Sequence, residues 1–349
     1  MVMKEYFGAN RFGQPTELYT LCHPDGLLVK VMTHGATIVS LKFPSRYGKE
    51  TDLVLGHNSA AEYAGNTPYF GSTIGRFANR IKNGQFSLDG QTFQLSRNNG
   101  SHSLHGGNLG FDKRIWQSES LPELNAVRMH YLSVEGEEGY PGTVQTSVTF
   151  SLPNPTELRL EYHAETTQPT PFCITNHSYF NLAGHNTGSI ANHLLQIPAD
   201  QFLTLDKTFI PLEYRSVEGT MFDFRTMRRI GDGLESDDEQ ITSSKGYGHT
   251  FCLKKRIKDG LSLAARVAEL RSGMNMEVFT TEPGLIFYTG NFIKAGLQGK
   301  HGCTYAPHHG FCLETQHYPD SPNRLDFPDT ILRPGEIFKT TTLFRFLPP

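Results

Sequence analysis

The sequence has no strong charge bias. Its 349 residues carry 32 Lys plus Arg against 35 Asp plus Glu, a formal net charge of -3. That balance gives no support for a nucleic-acid partner or an anionic membrane surface. Charged residues make up 19% of the chain, below the usual quarter or so. No run approaches the roughly 18 apolar residues of a membrane span. The start, Met1-Val2-Met3-Lys4-Glu5-Tyr6-Phe7, lacks the basic residues followed by an apolar stretch that a signal peptide needs. The five cysteines, Cys22, Cys173, Cys252, Cys303 and Cys312, are odd in number, scattered, and without a CxxC. A disulfide framework is not expected, and a cytoplasmic location is.

What is abundant is glycine (34), proline (20), phenylalanine (24) and tyrosine (14). Many turns and a large core follow, and disorder, coiled coil and collagen are excluded. Strand-like runs recur at 27–32, 37–43, 127–134, 143–152, 157–164, 286–289, 311–315 and 338–346. The clearest local signal is 85–95, where alternating segments flank an Asp89-Gly90 turn; that reads as a hairpin. Helical periodicity is scarce, with a turn or two expected at 59–64 and 225–230. No linker or internal repeat divides the chain. The expectation is an all-β fold, a large antiparallel β-sandwich, with residues 1–349 as one domain.

Four segments gather polar and ionisable residues beside strands. The first, Gly75-Arg76-Phe77-Ala78-Asn79-Arg80-Ile81, suits either an arginine fork for hydroxyls or a structural arginine pair. The second runs from Asn98 to Gly107 and holds His102 and His105 among glycines. A metal pair there lacks a third ligand at a known spacing. The third is Thr175-Asn176-His177-Ser178-Tyr179-Phe180-Asn181. If extended, it places His177, Tyr179 and Asn181 on one face, where a histidine could serve as a general acid. The fourth is Gly310-Phe311-Cys312-Leu313-Glu314-Thr315-Gln316-His317. Glu314 there is either a desolvated general base or one half of an ion pair with an arginine. His301, Cys303, His308 and His309 are too irregularly spaced for a metal site. No Gly-x-Ser-x-Gly elbow is present.

Taken in order, these strings resemble the galactose mutarotases, or aldose 1-epimerases. The resemblance extends to Glu137-Glu138-Gly139-Tyr140-Pro141-Gly142 and to Thr281-Glu282-Pro283-Gly284 with Phe287-Tyr288-Thr289-Gly290-Asn291. It covers residues 30 to 345. It implies a β-sandwich with a sugar cleft and interconversion of the anomers of a free aldose. It also implies no metal and no cofactor, a small-molecule sugar partner, and a monomer or homodimer. By position it implies Glu314 as general base and His177 as general acid. Arg80 and His105 fall on substrate-orienting positions, Asn79 lies beside them, and Tyr179 lines the site. Two positions depart from the pattern. Gly248 stands in Gly246-Tyr247-Gly248-His249 where the family usually has an aspartate, and Ile286 stands where it often has a glutamine. The expectation is a preferred sugar other than plain galactose, or weaker binding of galactose. Alternatives are an epimerase of a modified sugar or non-sugar hemiacetal, and a sugar-binding relative without turnover.

Overall fold

The computed structural model describes residues 1–44, 50–65, 68–254 and 260–347. Among them the larger sheets are one of nine strands and two of five, with hydrogen-bonded strand pairs antiparallel throughout. The first five-stranded sheet is a meander in chain order, from Val2–Ala9 to Glu50–Asp52. The nine-stranded sheet centres on Val144–Asn154, Glu157–Thr166 and Phe338–Leu347. Its strands alternate: Leu158, Leu160, Tyr162 and Ala164 are buried while their neighbours face outward. That period of two is what a sheet with one buried face requires. Phe150, Leu160, Phe344 and Phe346 from this sheet meet Val29, Leu41 and Phe43 from the first five-stranded sheet. Fully burying each such side chain contributes about 1.5–3 kcal/mol. The expected antiparallel β-sandwich is therefore present.

The second five-stranded sheet carries the chemistry. Its order is Pro211–Ser216, Ala199–Leu205, Gly248–Leu253, Gly284–Tyr288 and Cys312–Gln316. Every residue of Cys312–Gln316 is buried. Leu313 packs into the main core, whereas Cys312 joins a second cluster with Tyr179 and Tyr305. Glu314 shares the face of Cys312, away from the main core.

The hairpin at Gln85–Leu88 and Gln91–Gln94 forms as expected, with Asp89 and Gly90 both at positive φ. The turn expected at 59–64 is Ala60–Tyr63, started by a Ser59/Glu62 capping box. The helix expected at 225–230 does not form there. Arg228–Arg229 pairs with Leu194–Leu195 at the sheet edge, and a short helix begins only at Ile230–Leu234. Edge pairing satisfies backbone groups that so short an isolated helix would leave open. No helix among the described residues is long and apolar enough to cross a membrane. The five cysteines are unpaired.

Candidate active site

Strands and loops converge on a cavity of about 540 Å³. Asn79, Arg80, His105, His177, Tyr179 and Glu314 all line it. Segments more than two hundred residues apart in sequence thus meet at one place.

The first two segments are locked to each other. Asn79 and His105 both adopt the left-handed backbone region, with φ of 68 and 53. Each such non-glycine residue costs roughly 1–2 kcal/mol. The His105 N–H donates to the Asn79 carbonyl at 3.0 Å, and the Asn79 N–H donates to His105 Nδ1 at 3.1 Å. Gly106 lets this crossing happen, because a Cβ there would lie 2.0 Å from the Gly75 carbonyl oxygen. With Nδ1 accepting, the neutral His105 ring carries its hydrogen on Nε2. It therefore enters the cavity as a hydrogen-bond donor.

The two arginines separate. Arg76 is buried away from the cavity and donates to the carbonyls of Pro141, Gly142 and Ser133; it is structural. Arg80 donates from Nε to Asn99 Oδ1 at 3.0 Å. Among the described residues, no carboxylate lies within ion-pairing distance of its guanidinium, which lies over the Phe209 ring at 4.9 Å in the lining of the cleft. Burial lowers its pKa to about 10, so it is a cation at neutral pH.

His177 enters from the outer side of the Glu314 strand. Thr175 Oγ1 donates to the Thr315 carbonyl at 2.9 Å, and the His177 N–H donates to the Ser72 carbonyl. Its ring stacks on Tyr179 (centroids 5.0 Å, 23°) and Tyr69 (5.8 Å, 26°). Its Nδ1 lies 3.5 Å from Cys312 Sγ. Its Nε2 lies 3.7 Å from Glu314 Oε2. That carboxylate oxygen has no hydrogen-bond partner among the described residues. Arg80 is the charge that opposes desolvation, yet burial dominates and pushes Glu314 up to about 8. Burial alone drives His177 down to about 4. Burial, then the neighbouring His177 and Arg80, hold His105 well below the usual histidine range. An ion pair with an arginine, one of the two readings of Glu314 open from sequence, is not what the geometry shows.

Asn181 and His102 stand apart from the cavity. Asn181 does not line the cavity with His177 and Tyr179. Its Nδ2 donates to the carbonyls of Gly188 and His309, so this amide is spent on holding loops. His102 is also scaffold, with Nδ1 accepting the Asn83 N–H. Neither His249 nor Asp223 offers a carboxylate or imidazole to the space left by Gly248. His249 is turned to Gln240 and the Phe222 ring, and Asp223 is paired with Arg225. Sequence reasoning missed Tyr69, Tyr288, Phe209 and Phe292, which also line the cavity. Tyr288 lies within a string that carried the resemblance. Tyr69 and Phe209 sit at positive φ, a conformation no local pattern announces.

His105, His177 and Glu314 bring ligand-type atoms within 4.8 Å of one another. A metal-binding histidine presents a lone pair to the ion and donates its other N–H to an acceptor. His105 has the opposite arrangement, so the trio is set for proton donation and acceptance.

A buried carboxyl and imidazole 3.7 Å apart, beside a fixed donor and a guanidinium in a cleft on an antiparallel sandwich, suit the acid–base class of isomerase. The comparisons give that class its family. The aldose 1-epimerase family model matches residues 17–345. The galactose mutarotase of Sus scrofa is 43% identical over 99% of this chain and 98% of its own. The aldose 1-epimerase of Escherichia coli K12 is 38% identical over 96% of each. The crystal structure of an aldose epimerase homologue from C. elegans superposes with a TM-score of 0.87 at 30% identity, covering 95% of this chain and 99% of that one. The chain belongs to the aldose 1-epimerase family, the enzymes that interconvert sugar anomers.

Proposed function

We propose that this cleft opens and recloses the ring of a free aldose, with Glu314 and His177 exchanging one proton through the sugar. The observation that carries the reading is the 3.7 Å approach of His177 Nε2 to a Glu314 Oε2 that accepts no hydrogen bond among the described residues. With Glu314 near 8 and His177 near 4, the pair holds a single proton across the neutral range. Burial places it on the carboxyl, and the Arg80 charge favours its transfer to the imidazole. The two sites titrate as a unit.

Ring opening starts from the form of the pair with its proton on His177, and takes the anomeric hydroxyl proton to the Glu314 carboxylate. His177 Nε2 gives a proton to the ring oxygen as the bond from C1 to that oxygen breaks and the C1 carbonyl forms. Rotation about C1–C2 turns the other face of the aldehyde toward the ring oxygen. The same two groups then return their protons and the opposite anomer closes. Each positioned proton transfer contributes roughly 10²–10⁴ in rate. His105 donates from Nε2 to the ring oxygen or an adjacent hydroxyl, while Arg80 and Asn79 hold other hydroxyls and fix the pose. Tyr179 and Tyr69 keep the His177 ring oriented. Residues 1–349 act as one unit in this reading, since no single segment supplies the site. Five unpaired cysteines suit a reducing, cytoplasmic setting. Polarimetry of freshly dissolved α-aldoses tests the proposal. Acceleration over the spontaneous rate at catalytic enzyme concentration is expected, and its absence across hexoses, pentoses and amino sugars would refute it.

A further inference from the structure

The register of the site sheet says what lies beside the reacting carbon. Ile286 is the cross-strand partner of Glu314, and Gly248 is the partner of Tyr288. Direct partners share a face, with Cβ atoms about 4.5–5.5 Å apart. Ile286 and Tyr288 alternate along one strand and so face the same way. All of these residues line the cavity. Moving across the sheet, Glu314 therefore has His177 on its outer side and Ile286 on its inner side.

An anomeric carbon has two ring neighbours, the ring oxygen and C2. If the ring oxygen meets His177, C2 points at Ile286. That side chain is buried and makes no hydrogen bond. A hydroxyl at C2 would be desolvated against it without a partner. Next to it the wall recedes. A Cβ added at Gly248 would touch only Tyr288 Cδ2, at 3.7 Å. The whole cavity, about 540 Å³, lies within the range of about 300–1,000 Å³ typical of small-molecule sites, so it is not confined to a bare hexose of about a dozen non-hydrogen atoms. Of the residues on this strand, Tyr288 supplies a polar group, and Ser244, Asn291 and Lys294 also line the cavity. The Tyr288 hydroxyl accepts the Phe292 N–H at 3.0 Å and keeps its own hydrogen to donate.

We propose that this cleft takes an aldose bearing an acylamino group at C2, with Ile286, Gly248 and Tyr288 forming the acyl subsite. The acyl methyl packs on Ile286, the group occupies the space over Gly248, and the amide carbonyl accepts from Tyr288 Oη. This rests on the epimerase reading, since that reading sets the ring oxygen toward His177.

The test is kcat/KM for anomer exchange, followed by NMR, on N-acetylmannosamine, N-acetylglucosamine, 2-deoxyglucose, glucose and galactose. At least one N-acetylated sugar is expected to exceed galactose by roughly tenfold or more. The double substitution Gly248→Asp with Ile286→Gln should move preference toward galactose. Should that protein fail to fold, Ile286→Thr is the second variant, and it should cut the N-acetyl preference while Ile286→Val retains it. Galactose or glucose turned over as well as the N-acetylated sugars would overturn the inference and leave the epimerase reading standing. A preference for 2-deoxyglucose would overturn the acyl subsite in favour of an apolar wall alone. No turnover of any aldose would overturn both.

Discussion

Replacing Glu314 by Gln removes the charge and preserves the shape, and its effect on stability separates a catalytic carboxylate from a structural one. In the folded chain Glu314 keeps its proton up to about 8, against 4.5 for a free carboxyl, because it is buried. The folded state thus holds this proton to higher pH than the unfolded chain. Wild-type stability is favoured below the unfolded pKa and falls as pH rises from about 4.5 through about 8. The amide has no proton to lose. At about 1.4 kcal/mol for each pH unit, the variant should gain on the wild type by up to roughly 4 kcal/mol between pH 5 and pH 9. Water in the open cleft makes this an upper figure. Urea unfolding of both proteins at the two pH values measures it, since the remaining titrating groups are common to both. Were Glu314 instead held by an ion pair with Arg80, its pKa would be lowered and the sign would reverse. A Glu314→Gln protein that is less stable at pH 9 than the wild type, with the deficit growing from pH 5, would refute the reasoning.

Other consequences follow from the same geometry. Anomer exchange should have a bell-shaped dependence on pH. It should fall below about 4, where both members of the pair are protonated, and above about 8, where neither is; initial rates in a buffer series of constant ionic strength check this. Arg80→Lys should raise KM by about tenfold or more with a smaller effect on kcat, because a hydrogen bond to a charged group is worth roughly 1.5–3 kcal/mol and lysine lacks the planar fork. Phe150→Ala, at the centre of the sandwich and fully buried, should cost about 3–5 kcal/mol in stability. Its exchange rate at low temperature should stay near wild type, as Phe150 belongs to the main core and is not among the residues that line the cleft.

Much of the sandwich was legible because its strands have one buried face, and residues 157–164 show the alternation directly. The Asp89-Gly90 hairpin was legible because both turn residues accept positive φ. The edge strand at Arg228–Arg229 was not, since its pairing with Leu194–Leu195 is a tertiary event that short-range propensity does not encode. The four polar segments of the site were visible as clusters. Which arginine faces the cleft was not, because Arg76 and Arg80 differ only in what folds around them. The His105 donor tautomer depends on an Asn79 N–H brought in from 26 positions away in the chain. Asn181 was misplaced for the same reason: its face follows from loop partners at Gly188 and His309, not from alternation. The two departures at Gly248 and Ile286 gained meaning only from register, which sets Ile286 against Glu314.

The central claim is that Glu314 and His177 move the protons of ring opening. Saturation transfer between the α and β anomeric protons of a turned-over aldose, at pH 7 and equal enzyme concentration, tests it for wild type, Glu314→Gln and His177→Asn. The account expects exchange well above the spontaneous rate for the wild type and a loss of roughly 10²-fold or more in each variant. Wild-type exchange in both folded variants would contradict it.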